Sequence, residues 1–123
     1  MTGKRLGDPN KAISTGAAAE EIACQFLLSE GLNLRARNFR TRLGEIDLIM
    51  DDGPVLAFVE VRFRKPNALV SPLESITLGK RRKLVRAAHQ YLQSHPDVQH
   101  RQCRFDVVAI ADNIRWVKAA FDA

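Results

Sequence analysis

Apolar residues recur with helical spacing in two segments of the chain. Segment 15–30 follows this pattern, and Gly31 stands after it where a left-handed C-terminal residue belongs. Segment 78–94 follows it again, with Thr77 at the N-cap position and Pro96 just beyond the end. Both segments are therefore predicted to be helices with one buried stripe. The predicted stripes are Ala19, Ile22, Ala23, Phe26 and Leu27 in the first helix, and Leu84, Val85, Ala88, Tyr91 and Leu92 in the second.

Two adjacent glutamates on the first predicted helix are not equivalent. At about 100° per residue, Glu20 lies at the edge of the apolar stripe, beside Ala23 and Leu27. Glu21 lies on the far side, toward solvent. Only Glu20 is therefore expected to face whatever the helix packs against.

Between and after the helices, short apolar segments predict strands. Segments 32–39, 44–51 and 55–63 come first, and 105–111 with a short 114–117 follow the second helix. Segment 55–63 is apolar on both faces as far as Glu60, which indicates a central strand. Short links favour an antiparallel meander of three strands, and the long helix then allows a crossover to the next. The fold class is predicted as α/β, more specifically an α+β mixed sheet with a core in the order α-β-β-β-α-β.

The length and composition favour a single domain. The chain has 123 residues, 46% of them hydrophobic and 27% charged. Residues 1–14 are predicted to be a flexible polar tail, and 15–123 the domain. No apolar run exceeds five residues, so neither a membrane span nor a signal peptide is expected, and the location is predicted to be cytoplasmic. Cys24 and Cys103 follow no metal or redox spacing and are expected to be free thiols, although a disulfide between them stays open.

The net charge of +5 conceals an uneven distribution of charge. Three segments free of acids, 35–42, 62–65 and 80–86, together carry +12, so the rest of the chain carries −7. Such arginine-rich segments are typical of phosphate binding. The alternative is that these side chains only solvate strand ends and a helix face. Folding that brings the segments together would favour phosphate binding.

Two acids stand in strands that should be buried, namely Asp47 and Glu60. Burying a carboxylate is unfavourable unless it is paired, protonated or bound to a metal. The structural alternative is a local pair between Glu60 and Arg62, which point to one sheet face, with Asp47 held by backbone amides. Asp106 is also acidic and in an apolar strand, and it is interpreted as structural, paired with Arg104 or a neighbouring arginine. Trp116 and Tyr91 are expected in the core or an interface rather than as base-stacking platforms.

Six short motifs stand in order along residues 15–111. They are Gly16-x-x-Ala19-Glu20-x-x-Ala23, Arg37-Asn38-Phe39-Arg40, Gly44-Glu45-Ile46-Asp47-Leu48-Ile49, Phe58-Val59-Glu60-Val61-Arg62, Thr77-x-x-Lys80-Arg81-Arg82 and Arg104-Phe105-Asp106-Val107-Val108. Together they resemble the YraN family of small bacterial proteins. That family is similar to the Holliday-junction resolvases of the PD-(D/E)XK nuclease superfamily, which implies a restriction-endonuclease-like fold.

This resemblance implies a metal site and a nuclease function. Asp47, Glu60 and Glu20 would hold Mg²⁺ or Mn²⁺, and the backbone carbonyl of Val61 would be a further ligand. Carboxylate-bound Mg²⁺ activates water and neutralises phosphate charge, as phosphodiester hydrolysis requires. The implied activity is endonucleolytic cleavage of DNA, structure-selective for branched substrates. A homodimer would suit the two-fold character of such DNA. The residues expected to bind nucleic acid are Arg37, Arg40, Arg42, Arg64, Lys80, Arg81, Arg82 and Lys83.

Arg62 stands where the signature usually has a lysine. A guanidinium stays protonated, so Arg62 is a poor general base. As a catalytic residue beside Glu20, Asp47 and Glu60, it is expected to contact the scissile phosphate, where it could orient water or stabilise phosphoryl charge. Lys80 is a candidate for the lysine role as well as for phosphate binding. The substitution favours a first alternative, a nucleic-acid-binding protein without catalysis. A second alternative is an interaction protein whose basic faces bind an acidic protein partner.

Overall fold

The computed structural model describes residues 3–5, 16–64 and 75–123. Both predicted helices are confirmed to within one residue at each end, and the third predicted strand is confirmed in full. Of the predicted tail, residues 3–5 form an edge strand that sequence patterning did not predict, and the remainder lies outside the described residues. The elements are β1 (Gly3–Arg5), α1 (Gly16–Ser29), β2 (Asn33–Arg40), β3 (Glu45–Asp52), β4 (Val55–Phe63), α2 (Leu78–Ser94), a 3₁₀ turn (Pro96–Val98), β5 (Cys103–Ile110) and β6 (Asn113–Phe121).

The strands form one mixed sheet in the order β1-β6-β5-β4-β3-β2. Every neighbouring pair is antiparallel except β4 and β5, which are parallel and are joined through α2. This confirms the predicted meander, the crossover and the α-β-β-β-α-β order. The result is an α+β fold consistent with a nuclease-like core. β6 extends beyond the predicted segment 114–117, to Phe121.

The two helices cover opposite faces of the sheet, and each face has its own apolar core. Side chains alternate along the central strands, so Val59 packs on the α1 side and Phe58 on the α2 side. Each such side chain contributes about 1.5–3 kcal/mol on burial. Tyr91 and Trp116 are buried, as predicted, and both cysteines are free. Within the described ranges, no helix is long and apolar enough to cross a membrane.

Asp106 anchors β6 onto β5. Its carboxylate is fully buried and accepts two hydrogen bonds of 2.8 Å from Arg104. It also accepts bonds from the indole N–H of Trp116 at 3.1 Å and the backbone N–H of Ala119 at 3.0 Å. Ala119 has a φ of 51°, so the carboxylate stabilises an irregular point of the strand. The predicted structural pairing of Asp106 with Arg104 is confirmed.

The turn between β2 and β3 lies directly on α2. The hydroxyl of Thr41 accepts hydrogen bonds from the amides of Leu43 and Gly44, each at 3.0 Å, and closes the turn. A Cβ added to Gly44 would lie 2.5 Å from the backbone oxygen of Lys83. Only glycine allows the turn and the helix to approach this closely. The contact brings the first basic segment, at Arg42, next to the basic helix.

Candidate active site

The candidate site lies where β3 and β4 stop pairing. Leu48 and Val59 are the last residues in register, and one further step places Asp47 opposite Glu60. Directly opposed residues point to the same face of a sheet, so both carboxyl groups lie side by side. Beyond this point the amide of Val61 has no partner on the β3 backbone. It donates instead to Oδ2 of Asp47, at 2.8 Å.

The two carboxyl groups lie against each other, with Glu60 buried and Asp47 half-buried. Glu60 is only 5% exposed. Burial, the hydrogen bond with Glu60 and the negative charge of Glu60 raise the pKa of Asp47 to about 8, although the Val61 amide opposes this. A carboxylate with a purely structural role is normally held by donors or cations that lower its pKa. The described residues offer Asp47 no cation within 4 Å, whereas Glu60 has Arg62 at 3.5 Å and Lys80 at 4.0 Å. Both contacts of the structural alternative, the Glu60–Arg62 pair and a backbone amide on Asp47, are therefore present.

Glu20 projects from α1 into the same region. Burial first, and then the charge of Asp47, raise the pKa of Glu20, whereas a hydrogen bond with Asn38 lowers it. Asn38 has a φ of 50°, which asparagine tolerates better than most residues. Glu21, in contrast, is exposed and bonds to Arg37 at 2.7 Å. The predicted difference between Glu20 and Glu21 is confirmed.

All three predicted acids line one cleft of about 460 Å³. The cleft lies between α1, the open end of the β3–β4 hairpin and the start of α2. Acidic and basic side chains both face it, so it can neutralise a cation and an anion at adjacent positions. Its charged lining residues are Glu20, Glu45, Asp47, Glu60, Arg62, Arg64, Lys80 and Lys83.

The donors at the hairpin opening fit a hard divalent cation. Within the described residues, no group of three or more His, Cys, Asp or Glu side chains is arranged to hold a metal. Mg²⁺, however, takes only one or two carboxylates and completes its shell with other oxygens. Asp47 and Glu60 supply two carboxylates. A strand residue directs its N–H and C=O to the same side, so the Val61 carbonyl faces the β3 edge along with its amide. The third carboxylate, from Glu20, stays a predicted ligand.

Arginines of segment 35–42 pair with acidic side chains, whereas most cations of α2 do not do so among the described residues. In the first segment, Arg37 pairs with Glu21 at 2.7 Å and Arg40 with Glu45 at 3.3 Å. Along α2, the described part of the chain offers no acidic partner within 4 Å to its exposed arginines or to Lys83. The α2 side chains therefore suit phosphate contact better than Arg37 or Arg40 does. These α2 residues are Arg81, Arg82, Lys83 and Arg86.

The model of the uncharacterised protein family UPF0102 matches residues 19–110. The chain belongs to this family. The YraN-like resemblance of its motifs is thereby confirmed. A UPF0102 protein of Nitrosococcus oceani is 47% identical over 111 residues, covering 86% of this chain and 90% of the relative. A UPF0102 protein of Stutzerimonas stutzeri is 44% identical over 115 residues, covering 89% and 96%. One of Saccharophagus degradans is 48% identical over 108 residues, covering 87% and 92%.

Within the segment matched by UPF0102, the structure adds two residues that sequence reasoning did not assign to the site. Ser75 accepts a hydrogen bond of 2.9 Å from Nε of Arg62, and nothing in the sequence links these two residues. Asn38 holds Glu20, and its place in the motif with Arg37 was the only available signal. The site therefore depends on supporting contacts as well as on the acids themselves.

Proposed function

We propose that this protein is a metal-dependent endonuclease that hydrolyses phosphodiester bonds in DNA. Asp47, Glu60 and the Val61 carbonyl would hold Mg²⁺ or Mn²⁺, with Glu20 approaching from α1. The observation that carries this proposal is the side-by-side placement of Asp47 and Glu60 in a cleft that cationic side chains also line.

The acidic residues of the cleft would hold the metal, and its basic residues would hold the phosphates. Bound metal supplies an electrophile for the phosphoryl oxygens and a more acidic water. Asp47 and Glu60 fix the position at which the ester must lie, because they project from rigid strands. Arg64 and Lys83 line the same cleft and would hold the flanking phosphates. Phosphate contacts carry no sequence information, so we expect little sequence preference.

We extend the proposal to branched DNA as the preferred substrate. Recognition through the phosphate backbone reads the path of the strands, and a junction differs from a linear duplex in that path. A homodimer would present two clefts related by a two-fold axis to a junction with the same symmetry.

The direct test is cleavage of linear, flapped and four-way DNA with Mg²⁺ or Mn²⁺. Asp47→Asn and Glu60→Gln should each reduce the cleavage rate at least 100-fold, because each removes a charged oxygen ligand. Asp97→Asn is a matched control, since Asp97 is 67% exposed and distant from the cleft lining. Equal rates in the wild type and in both site variants would refute the proposed site.

A second candidate function is nucleic-acid binding without catalysis. It is favoured by the α2 arginines, which have no acidic partner within 4 Å among the described residues, together with Arg62 in place of the signature lysine. Several phosphate contacts should give a steep fall of log affinity with log salt, of slope about −0.9 per contact. Salt-dependent binding without metal-dependent turnover would select this candidate. Absence of DNA binding would exclude both candidates and leave an acidic protein as the partner.

A further inference from the structure

We propose that Lys80, rather than Arg62, is the catalytic cation of the cleft. Its ammonium group would contact the scissile phosphate beside Glu60, whereas Arg62 would act as a positioning residue for Glu60. This inference rests on the proposed nuclease function and assigns a role within that site.

Arg62 is held in place on the inner wall of the cleft. Its Nε donates to the hydroxyl of Ser75 at 2.9 Å, and a terminal nitrogen lies 3.5 Å from the Ser75 carbonyl oxygen. Its other terminal nitrogen lies 3.5 Å from Oε2 of Glu60. The Arg62 side chain is only 14% exposed. Its fork of donors is thus already directed at protein atoms, which suits holding Glu60 and leaves little for a substrate.

Lys80 has the opposite environment. Its Nζ lies 4.0 Å from the same oxygen, Oε2 of Glu60, and its side chain is 48% exposed. It lines the cleft, so its three donor hydrogens can reach a bound phosphate without leaving Glu60. Of the two lysines in the cleft lining, Lys80 is the one within 4 Å of a site acid.

The backbone beneath Lys80 is fixed at two points. The hydroxyl of Thr77 accepts a hydrogen bond from the Lys80 amide at 3.2 Å and caps the first turn of α2. One turn later, the close approach of Gly44 to Lys83 seats the helix on the β2–β3 turn. A catalytic group needs this kind of support, because small displacements reduce rates strongly.

The chemistry assigned to Lys80 is electrostatic. In hydrolysis, a water oxygen forms a bond to phosphorus, the bond from phosphorus to the ester oxygen breaks, and the leaving oxygen takes a proton from solvent. The attacking water loses its proton to solvent. Lys80 transfers no proton in these steps and donates a hydrogen bond to a non-bridging oxygen, where negative charge grows. Removing one such donor typically lowers the rate by about 10²–10³-fold.

The kinetic test compares Lys80→Met, Arg62→Met and Lys118→Met in single-turnover cleavage at saturating protein. Lys80→Met should slow cleavage at least 100-fold, change DNA affinity less than threefold, and leave the Mg²⁺ concentration for half-maximal rate unchanged. Arg62→Met should raise that Mg²⁺ concentration, because Glu60 loses its support. Lys118→Met, the matched control, lies outside the cleft lining and pairs with Asp52, so it should slow saturated cleavage less than twofold. Unfolding temperatures of all variants report whether each one folds.

A second readout needs neither metal nor turnover. Acetylation of surface lysines, mapped by mass spectrometry in EDTA, should fall at least fivefold at Lys80 when four-way DNA binds. Lys118 is the control, since it is 54% exposed and pairs with Asp52 instead. Equal protection of Lys80 and Lys118 would overturn the inference. The inference would also be overturned if the wild type cleaves DNA and Lys80→Met cleaves it at a rate within fivefold of the wild-type rate. The nuclease function would stand in that case. A wild type that cleaves no substrate would overturn the nuclease function itself.

Discussion

Gly44→Ala tests whether the close contact between the β2–β3 turn and α2 determines stability. The added Cβ would lie 2.5 Å from the Lys83 carbonyl oxygen and 2.9 Å from the carbonyl carbon. Both are backbone atoms of a helix, so no side-chain rotation can relieve the clash. Turn and helix must separate by about 0.9 Å to reach an ordinary contact of 3.4 Å. The φ of Gly44 lies outside the left-handed region, so the backbone itself does not disfavour alanine.

The expected loss of stability follows from two opposing effects. Overpacking of a well-packed contact costs about 1–3 kcal/mol. Restricting the unfolded chain by replacing glycine with alanine offsets about 0.4–1 kcal/mol of this. We therefore expect a net destabilisation of about 1–2 kcal/mol. For a chain of this size, that lowers Tm by roughly 4–12 °C.

Thermal unfolding followed by circular dichroism measures this change, with Gly79→Ala as the matched control. A Cβ on Gly79 meets nothing closer than the Thr77 hydroxyl at 3.9 Å, and Gly79 lies in α2. Alanine is the better helix former by about 1 kcal/mol, so this variant should match or exceed the wild-type Tm. A Gly44→Ala Tm at or above the wild-type value would refute the reasoning. A similar fall in both variants would refute it too.

Three further predictions concern the charged and capping side chains. Because the pKa of Asp47 is raised to about 8, the folded state binds this proton more tightly than the unfolded state, and stability falls as pH rises from about 4 to about 8. Asp47→Asn removes this loss of stability and keeps an acceptor for the Val61 amide. In denaturant titrations, the free energy of unfolding of Asp47→Asn should therefore rise relative to that of the wild type between pH 5 and pH 8. A difference that stays constant over this range would contradict the prediction. Asp106→Ala should lower the free energy of unfolding by about 3–5 kcal/mol, since it leaves the donors of Arg104, Trp116 and Ala119 without their acceptor. Asp97→Ala should change it by less than about 1 kcal/mol, because Asp97 is exposed. Thr77→Ala should lower the free energy of unfolding by about 0.5–2 kcal/mol, because it removes the acceptor of the Lys80 amide. Thr77→Ser keeps a hydroxyl and should lose much less stability. Equal losses in the two variants would show that the cap does not stabilise α2.

The elements with strong local signals could be predicted from the sequence. Thr77 and Pro96 bound a segment of clear helical period, and α2 occupies 78–94 as expected. The bounds of β4 agree with the predicted strand 55–63, because its apolar run lies between a turn and a charged end. β1 has three residues and no pattern of its own, and it becomes a strand only by pairing with β6. Its existence depends on tertiary contact, which local periodicity does not contain.

The candidate site was predictable in its acids and not in their surroundings. Asp47 and Glu60 could be found because carboxylates are unexpected in apolar strands. Cation partners two residues away on the same strand could be predicted as well, as for Arg104 with Asp106. More distant partners could not, since Arg37 meets Glu21 and Arg62 meets Ser75 only through the fold. Counting charge along the chain treated all these arginines as equally free. In the structure, the arginines differ in whether an acidic side chain lies within ion-pair distance.

The two-residue turn of the β3–β4 hairpin sets the spacing of the site acids. Asp52 pairs with Val55, and every later pair follows in step until Asp47 stands opposite Glu60. Inserting one residue within β4, between Val55 and Glu60, would shift Glu60 by one position and turn its carboxyl group to the other face of the sheet. Inserting two residues there would return it to the same face, but one pair further from Asp47. An insertion at Gly53 or Pro54 would lengthen only the loop, because the buried faces hold the register. The site therefore tolerates a change of length in the turn and none in the strand that leads from it to Glu60.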